Sequence, residues 1–291
     1  MLNITIFLMV ILASFLSGCA TRLMLYPELA HKMDARYPPS SILNQRRAEK
    51  VVVKNDSGHE LRGLLFESEG DAGTVIVSGG NAMSRIHTLE YYRFLLGHGF
   101  RVLVFSFQGY DDNEGRSNLS SLVGDAAAYY AYLKSTYPSE EIAYFGHSIS
   151  SAVALCLPLR TGALSAIIVE GAFNPKSIAF TKLKQIWYLF PLYPMLLPAA
   201  AAVSATVPDD LDVAKCINAY RDIPIIFAHH PYDVVTPFER AFDLFSIYRG
   251  DKQFLIPRNA VPPQYHANLL NDVEIQNEII RFLQTNLSNQ P

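Results

Sequence analysis

Short, almost wholly apolar segments recur along the chain, and each is separated from the next by a helical pattern. Thr74–Val77, Arg101–Phe105, Glu141–Phe145, Ala166–Val169, Ile223–Ala228 and Gln253–Ile256 have the length and β-branched content of strands. Helical spacing covers Thr88–Leu96, Leu119–Leu133, Ala152–Leu157, Phe238–Tyr248 and Val273–Leu287. A continuous apolar run, rather than an alternating one, marks a strand covered on both faces, which is the situation of a parallel sheet between helices. Two earlier strand-like runs, Lys50–Lys54 and Glu60–Phe66, flank Asn55-Asp56-Ser57-Gly58, a hairpin turn. The pattern predicts an α/β fold: an antiparallel start leading into a mostly parallel, doubly wound sheet of about eight strands.

The chain has 291 residues, 50% of them hydrophobic and 12% aromatic, enough for one large core. A formal charge of −3 gives no electrostatic reason to expect nucleic acid as a partner. No Cys/His cluster has zinc spacing and no glycine-rich stretch has the form of a phosphate loop, so neither metal nor cofactor is expected.

Function is concentrated in Gly146-His147-Ser148-Ile149-Ser150, which joins the strand ending at Phe145 to the helical run beginning at Ala152. Strand, sharp turn and helix are the setting in which G-x-S-x-G holds a serine hydroxyl clear of a sheet. A serine hydroxyl needs a base to become a nucleophile at neutral pH. His266 is the candidate base, and Asp233 the candidate to hold its tautomer. Asp233 follows the strand ending at Ala228, and His266 follows the last core strand, so loops at the carboxyl ends of parallel strands bring both toward Ser148. Asp233 could instead cap the helix near Phe238, and Glu170 is a fallback acid. The tetrahedral oxyanion needs two donors, each worth ~3–4 kcal/mol. The backbone of Ile149 supplies one, and Asn81 in Ser78-Gly79-Gly80-Asn81-Ala82 is the candidate for the other.

Together these segments resemble the α/β-hydrolase superfamily, in particular its serine-aminopeptidase-like and lysophospholipase-like serine hydrolases. Ser78–Ala82 is similar to the family's H-G-N-A loop, Phe107–Gly115 to Y-R-G-Y-G-x-S-E-G, and Ala228–Asp233 to H-G-x-x-D. The likeness runs from Lys50 to Leu287. It implies the α/β-hydrolase fold, a Ser148–His266–Asp233 triad and no cofactor. Gly79 stands where histidine is usual; Ser150, His230 and Tyr265 each stand where glycine is usual. Ser150 is expected to fit with some strain. His229 and His230, adjacent on an extended segment, should point opposite ways rather than share a metal.

Ile4–Leu16 is apolar and uncharged, of signal-segment rather than bilayer-spanning length, although Met1-Leu2-Asn3 lacks the usual positive charge. Leu16-Ser17-Gly18-Cys19-Ala20 resembles a bacterial lipobox. This implies a signal peptide over 1–18, a lipidated Cys19 opening a tether over 19–49, and a hydrolase domain over 50–291. An uncleaved anchor is the alternative. An envelope location follows, lipid-anchored and facing the periplasm. Export would permit a Cys156–Cys216 disulfide, though Cys156 in its apolar helix more commonly would be a free buried thiol. A lid insertion is expected over about 173–215, within which Ile186–Val207 is uncharged and holds Pro191, Pro194 and Pro198. It packs on the core, or it exposes an apolar surface to lipid.

The expected function is a membrane-anchored serine hydrolase cleaving carboxylic esters, ahead of thioesters or peptides, with a lipidic or interfacial acyl substrate favoured by anchor and lid. The alternative is a non-catalytic binding or envelope-assembly protein on the same scaffold.

Overall fold

The computed structural model describes residues 24–34, 48–68, 70, 72–162, 164–185, 191, 193–258, 266, 269 and 272–287. The signal segment, Cys19, Tyr265 and residues 186–190 and 192 of the uncharged stretch lie outside them.

Eight strands form one sheet in the order β1-β2-β4-β3-β5-β6-β7-β8. They are β1 (Ala48–Lys54), β2 (Glu60–Phe66), β3 (Thr74–Ser78), β4 (Arg101–Phe105), β5 (Ile142–His147), β6 (Ala166–Glu170), β7 (Ile225–Ala228) and β8 (Lys252–Leu255). β1–β2 and β2–β4 pair antiparallel, while every pairing from β4 through β8 is parallel. The helices, in chain order, are α1 (Pro27–Asp34), α2 (Arg85–Tyr92), α3 (Leu122–Thr136), α4 (Ile149–Cys156), α5 (Pro158–Thr161), α6 (Ile178–Gln185), α7 (Tyr193–Ala205), α8 (Val213–Asn218), α9 (Phe238–Ile247) and α10 (Val273–Leu287). This is the α/β-hydrolase arrangement.

The strand period of two explains why the central runs are apolar throughout. Ile76, Tyr144, Ile167, Val169, Ile225 and Phe227 enter one core with residues of α3, α4, α8 and α9. Their neighbours Val75, Val77, Ala143, Phe145, Ile168 and Ile226 enter the opposite core, with α2 and α10. Each strand residue thus meets a helix on one side or the other. Only the edge strands β1 and β8 carry exposed positions. The hairpin turn forms as expected, closed by Gly58 N–H to Asn55 O at 2.9 Å.

Two expectations change. Cys156 and Cys216 are joined in a disulfide that ties α4 to α8, so Cys156 is not a free thiol. Within the segment read as tether, Met24, Leu25 and Ala30 are buried against the first core, and α1 packs beside α2. Three apolar side chains over seven residues were too sparse to mark a packed element.

The lid region contains α6 and α7. Ala200, Val203 and Val207 turn into the core, whereas Leu197 is exposed. Pro198 lies inside α7, and among the described residues no helix is long and apolar enough to cross a membrane.

Candidate active site

β5 ends at His147 and α4 begins at Ile149, leaving Ser148 alone in the turn with φ 54° and ψ −119°. That conformation is sterically costly for a residue with a Cβ, of order 1–3 kcal/mol. It is held from both sides: Ser148 N–H donates to Glu170 O of β6 at 2.8 Å, and Ser151 N–H donates to Ser148 O at 2.9 Å. Ile149 is the first residue of α4, so its N–H has no acceptor within the helix and follows directly on Ser148.

The loop after β3 presses against this turn. A Cβ on Gly80 would lie 2.6 Å from His147 Cδ2 and 3.0 Å from Ser148 Cβ. A side chain on Gly79 would meet Thr88 Oγ1 at 2.2 Å, so the histidine usual in the family has no room. The glycines are therefore needed for close approach; the positive φ of the loop falls on Ala82 instead. Met83 N–H closes the turn on Gly80 O at 3.2 Å. The Asn81 side-chain oxygen accepts from Tyr26 N–H and from Tyr110 OH. Ser150, in place of the elbow glycine, is fully buried, and its hydroxyl donates to Gly79 O. The substitution ties elbow to oxyanion loop, where strain was expected.

Asp233 and His266 meet at the carboxyl end of the sheet. His266 Nδ1 lies 2.7 Å from Asp233 Oδ2, the oxygen that also accepts from Thr236 Oγ1 at 2.8 Å. Asp233 Oδ1 accepts from Val235 N–H at 2.8 Å and Thr236 N–H at 2.9 Å. The carboxylate thus closes its own turn with one oxygen and holds the imidazole with the other; it does not cap the helix at Phe238, whose N-cap is Pro237. Burial pushes the Asp233 carboxyl up, but the bond and charge of His266, the Thr236 N–H and His229 outweigh it. The net result holds it below the ordinary carboxylate range. With Nδ1 donating to an ionised carboxylate, His266 Nε2 is left as the acceptor a general base requires. Gly171, at φ 65°, follows β6 where a Cβ would lie 3.0 Å from His266 Cε1, so the absent side chain makes room for the imidazole. Among the described residues, no hydrogen bond joins the Ser148 hydroxyl to His266; such contacts commonly tighten only when substrate binds.

The two adjacent histidines behave differently. His229 Nε2 donates to Thr236 O at 2.8 Å and supports the acid loop from behind; burial pushes its pKa down against the pull of Asp233. His230 Nδ1 accepts from Tyr232 N–H at 3.1 Å. Glu170, the fallback acid, faces His147 rather than His266, with Oε2 3.3 Å from His147 Nδ1. Thr236, Gly171 and His147 were not singled out from the sequence as parts of this site. The signal for Thr236 was present in Asp-x-x-Thr, an acid followed by a hydroxyl close enough to share its turn.

No protein-family model matches the chain. The fold is that of the α/β-hydrolases, and solved esterases share it. The Pyrococcus furiosus esterase Pf2001 superposes with a TM-score of 0.66 at 17% identity, over 86% of this chain and 94% of that one. A thermophilic esterase from Thermogutta terrifontis gives 0.58 at 16% identity, over 83% and 100%. In sequence, an uncharacterised protein of Mycobacterium tuberculosis is 36% identical over 46% of this chain and 48% of its own length. The lysophosphatidylserine lipase ABHD12 of Danio rerio is 23% identical over 84% of this chain and 64% of its own. The chain spans about half to two thirds of the length of these sequence relatives.

Proposed function

We propose that this protein is a serine hydrolase that cleaves carboxylic esters of lipidic acyl chains, held at a bacterial membrane through an acylated Cys19. The observation that carries the reading is the 2.7 Å Asp233–His266 pair at the same end of the sheet as the strained Ser148 turn. Ser148 Oγ attacks the acyl carbonyl while His266 Nε2 takes its proton, and Asp233 stabilises the imidazolium that results. The N–H groups of Ile149 and Asn81 receive the oxyanion. Collapse breaks the bond to the alkoxy group, which leaves with the proton from His266; water then repeats the sequence on the acyl-enzyme and frees the acid. No cofactor takes part.

The lipidic substrate class is supported by the apolar lid helix α7 and by the ABHD12 relatives, which are lysophosphatidylserine lipases. An exported location is supported by the disulfide, because such bonds persist in oxidising compartments. The test is labelling of the full chain with a fluorophosphonate, beside Ser148→Ala, followed by an ester chain-length series. Labelling lost in the variant, with long chains preferred, is the expected result. A folded wild type that takes no label would refute the hydrolase reading and favour the binding-protein alternative.

A further inference from the structure

Glu170 contacts several parts of the site although no step of the chemistry is assigned to it. It ends β6 directly opposite His147 in the β5–β6 register. Its backbone oxygen accepts the Ser148 N–H at 2.8 Å, fixing the nucleophile's turn. Its side chain is 3% exposed and reaches in three other directions. Oε2 accepts from Tyr92 OH at 2.7 Å and approaches His147 Nδ1 at 3.3 Å, without the alignment of a hydrogen bond. Oε1 accepts the backbone N–H of Leu269 at 3.3 Å, and Leu269, three residues beyond His266, is fully buried. The His147 ring in turn lies 4.8 Å from the His266 ring.

A buried carboxylate is expensive without compensation, and a fold that needed only to fill this space could use an apolar side chain. Here the carboxylate approaches the His147 ring, which lies against the His266 ring, and it holds the N–H of Leu269, three residues beyond His266 in sequence. We propose that Glu170 is a positioning residue for the base: it fixes the His266 loop and, through His147, adds a second negative charge that favours the His266 imidazolium during acyl transfer. The inference rests on the hydrolase reading for its catalytic meaning. The groups facing His266 are then Asp233 from the loop after β7, with His229 behind it, and His147 and Glu170 from β5 and β6, with Tyr92 of α2 behind them. Burial, followed by the Glu170 charge, raises the Tyr92 pKa well above that of a free tyrosine, so Tyr92 remains a donor.

The experiment compares wild type with Glu170→Gln, which keeps the shape and an acceptor oxygen but removes the charge. Two readouts are taken on the full chain in detergent. One is the pH profile of fluorophosphonate labelling; the other is the titration of His266 followed by imidazole 1H–15N NMR and assigned with His266→Gln. Glu170→Gln is expected to label about tenfold more slowly at neutral pH, a part of what a well-placed base contributes. Its His266 midpoint should move to lower pH, because a carboxylate that favours the charged ring has gone. KM for a soluble ester should stay unchanged. A His266 midpoint equal to that of wild type, or slower labelling explained by the unfolded fraction alone, overturns the proposal. If Glu170→Gln does not fold, His147→Phe keeps a ring against His266 while cutting its link to the carboxylate. It should move the midpoint the same way by a smaller amount, and an unmoved midpoint again overturns the proposal. A wild type that takes no label would refute the hydrolase reading alone, since the NMR midpoint still reports whether Glu170 governs His266.

Discussion

Reducing the Cys156–Cys216 bond should remove about 4 kcal/mol of stability, and the number follows from the chain it closes. The two cysteines are 60 residues apart, and a cross-link over that span restricts the unfolded chain by about 4 kcal/mol in the loop-entropy treatment. Both sulfurs are buried, so reduction changes no exposed surface and leaves α4 packed on α8 by Ile217 and Val153. Comparing the same side chains in two oxidation states avoids the cavity that a Cys→Ala pair would introduce. The protein, with Cys19 replaced by alanine to leave one pair of thiols, is unfolded in urea with and without reductant. The reduced samples are prepared by reduction in urea and refolding, because the native bond is inaccessible. With a slope of about 3 kcal/mol per molar, the midpoint should fall by about 1 M. Coincident midpoints would refute the loop-entropy argument. Two free thiols titrating in native, unreduced protein would refute the bond itself.

Three further outcomes are expected. Ser150→Ala removes the hydroxyl that satisfies Gly79 O and should cost ~1–3 kcal/mol in a thermal or urea melt. It should also slow fluorophosphonate labelling, because the oxyanion loop loses its tie to the elbow; an unchanged rate would mean that the tie is not needed. Asp233→Asn should leave the fold cooperative but reduce turnover by about 10⁴, since the amide no longer selects the His266 tautomer. A loss below tenfold in an ester assay would point to another acid. Burial pushes the Asp125 carboxyl up to about 6, against the opposing bonds from the Gln108 N–H, Asn55 and Ser121. A raised folded-state pKa favours the protonated fold, so this group's contribution is full below pH ~4 and is lost as pH rises through about 6. Relative to Asp125→Asn, which does not titrate there, wild type should lose about 3 kcal/mol between acid and pH ~8 in parallel urea melts. A pH-independent difference would show that folding leaves the Asp125 pKa unshifted.

The architecture was readable because the central strands are covered on both faces, which forces Val75–Val77, Phe145 and Ile225–Ala228 to be apolar regardless of what packs on them. The meeting of Asp233 with His266 was readable for a related reason: strand ends fix where their loops converge. Contacts that join distant parts of the chain left weaker traces. Nothing local in Cys156 names Cys216 as its partner, and Met24 and Leu25 show no period that would announce burial. Gly171 looked like the ordinary end of a strand, and Glu170 was legible only as a fallback acid. Their roles depend on His266, which approaches from almost a hundred residues further along the chain.

The turn at Ser148 also bears on how far this protein can be stabilised without losing activity. At φ 54° the backbone is in a region that glycine enters freely and serine does not. A glycine there would relax the turn but remove the hydroxyl on which the proposed chemistry depends. Selection for thermal tolerance alone would therefore drift toward an inert protein at this position. Retention of serine places the conflict between durability and chemistry on a single peptide unit.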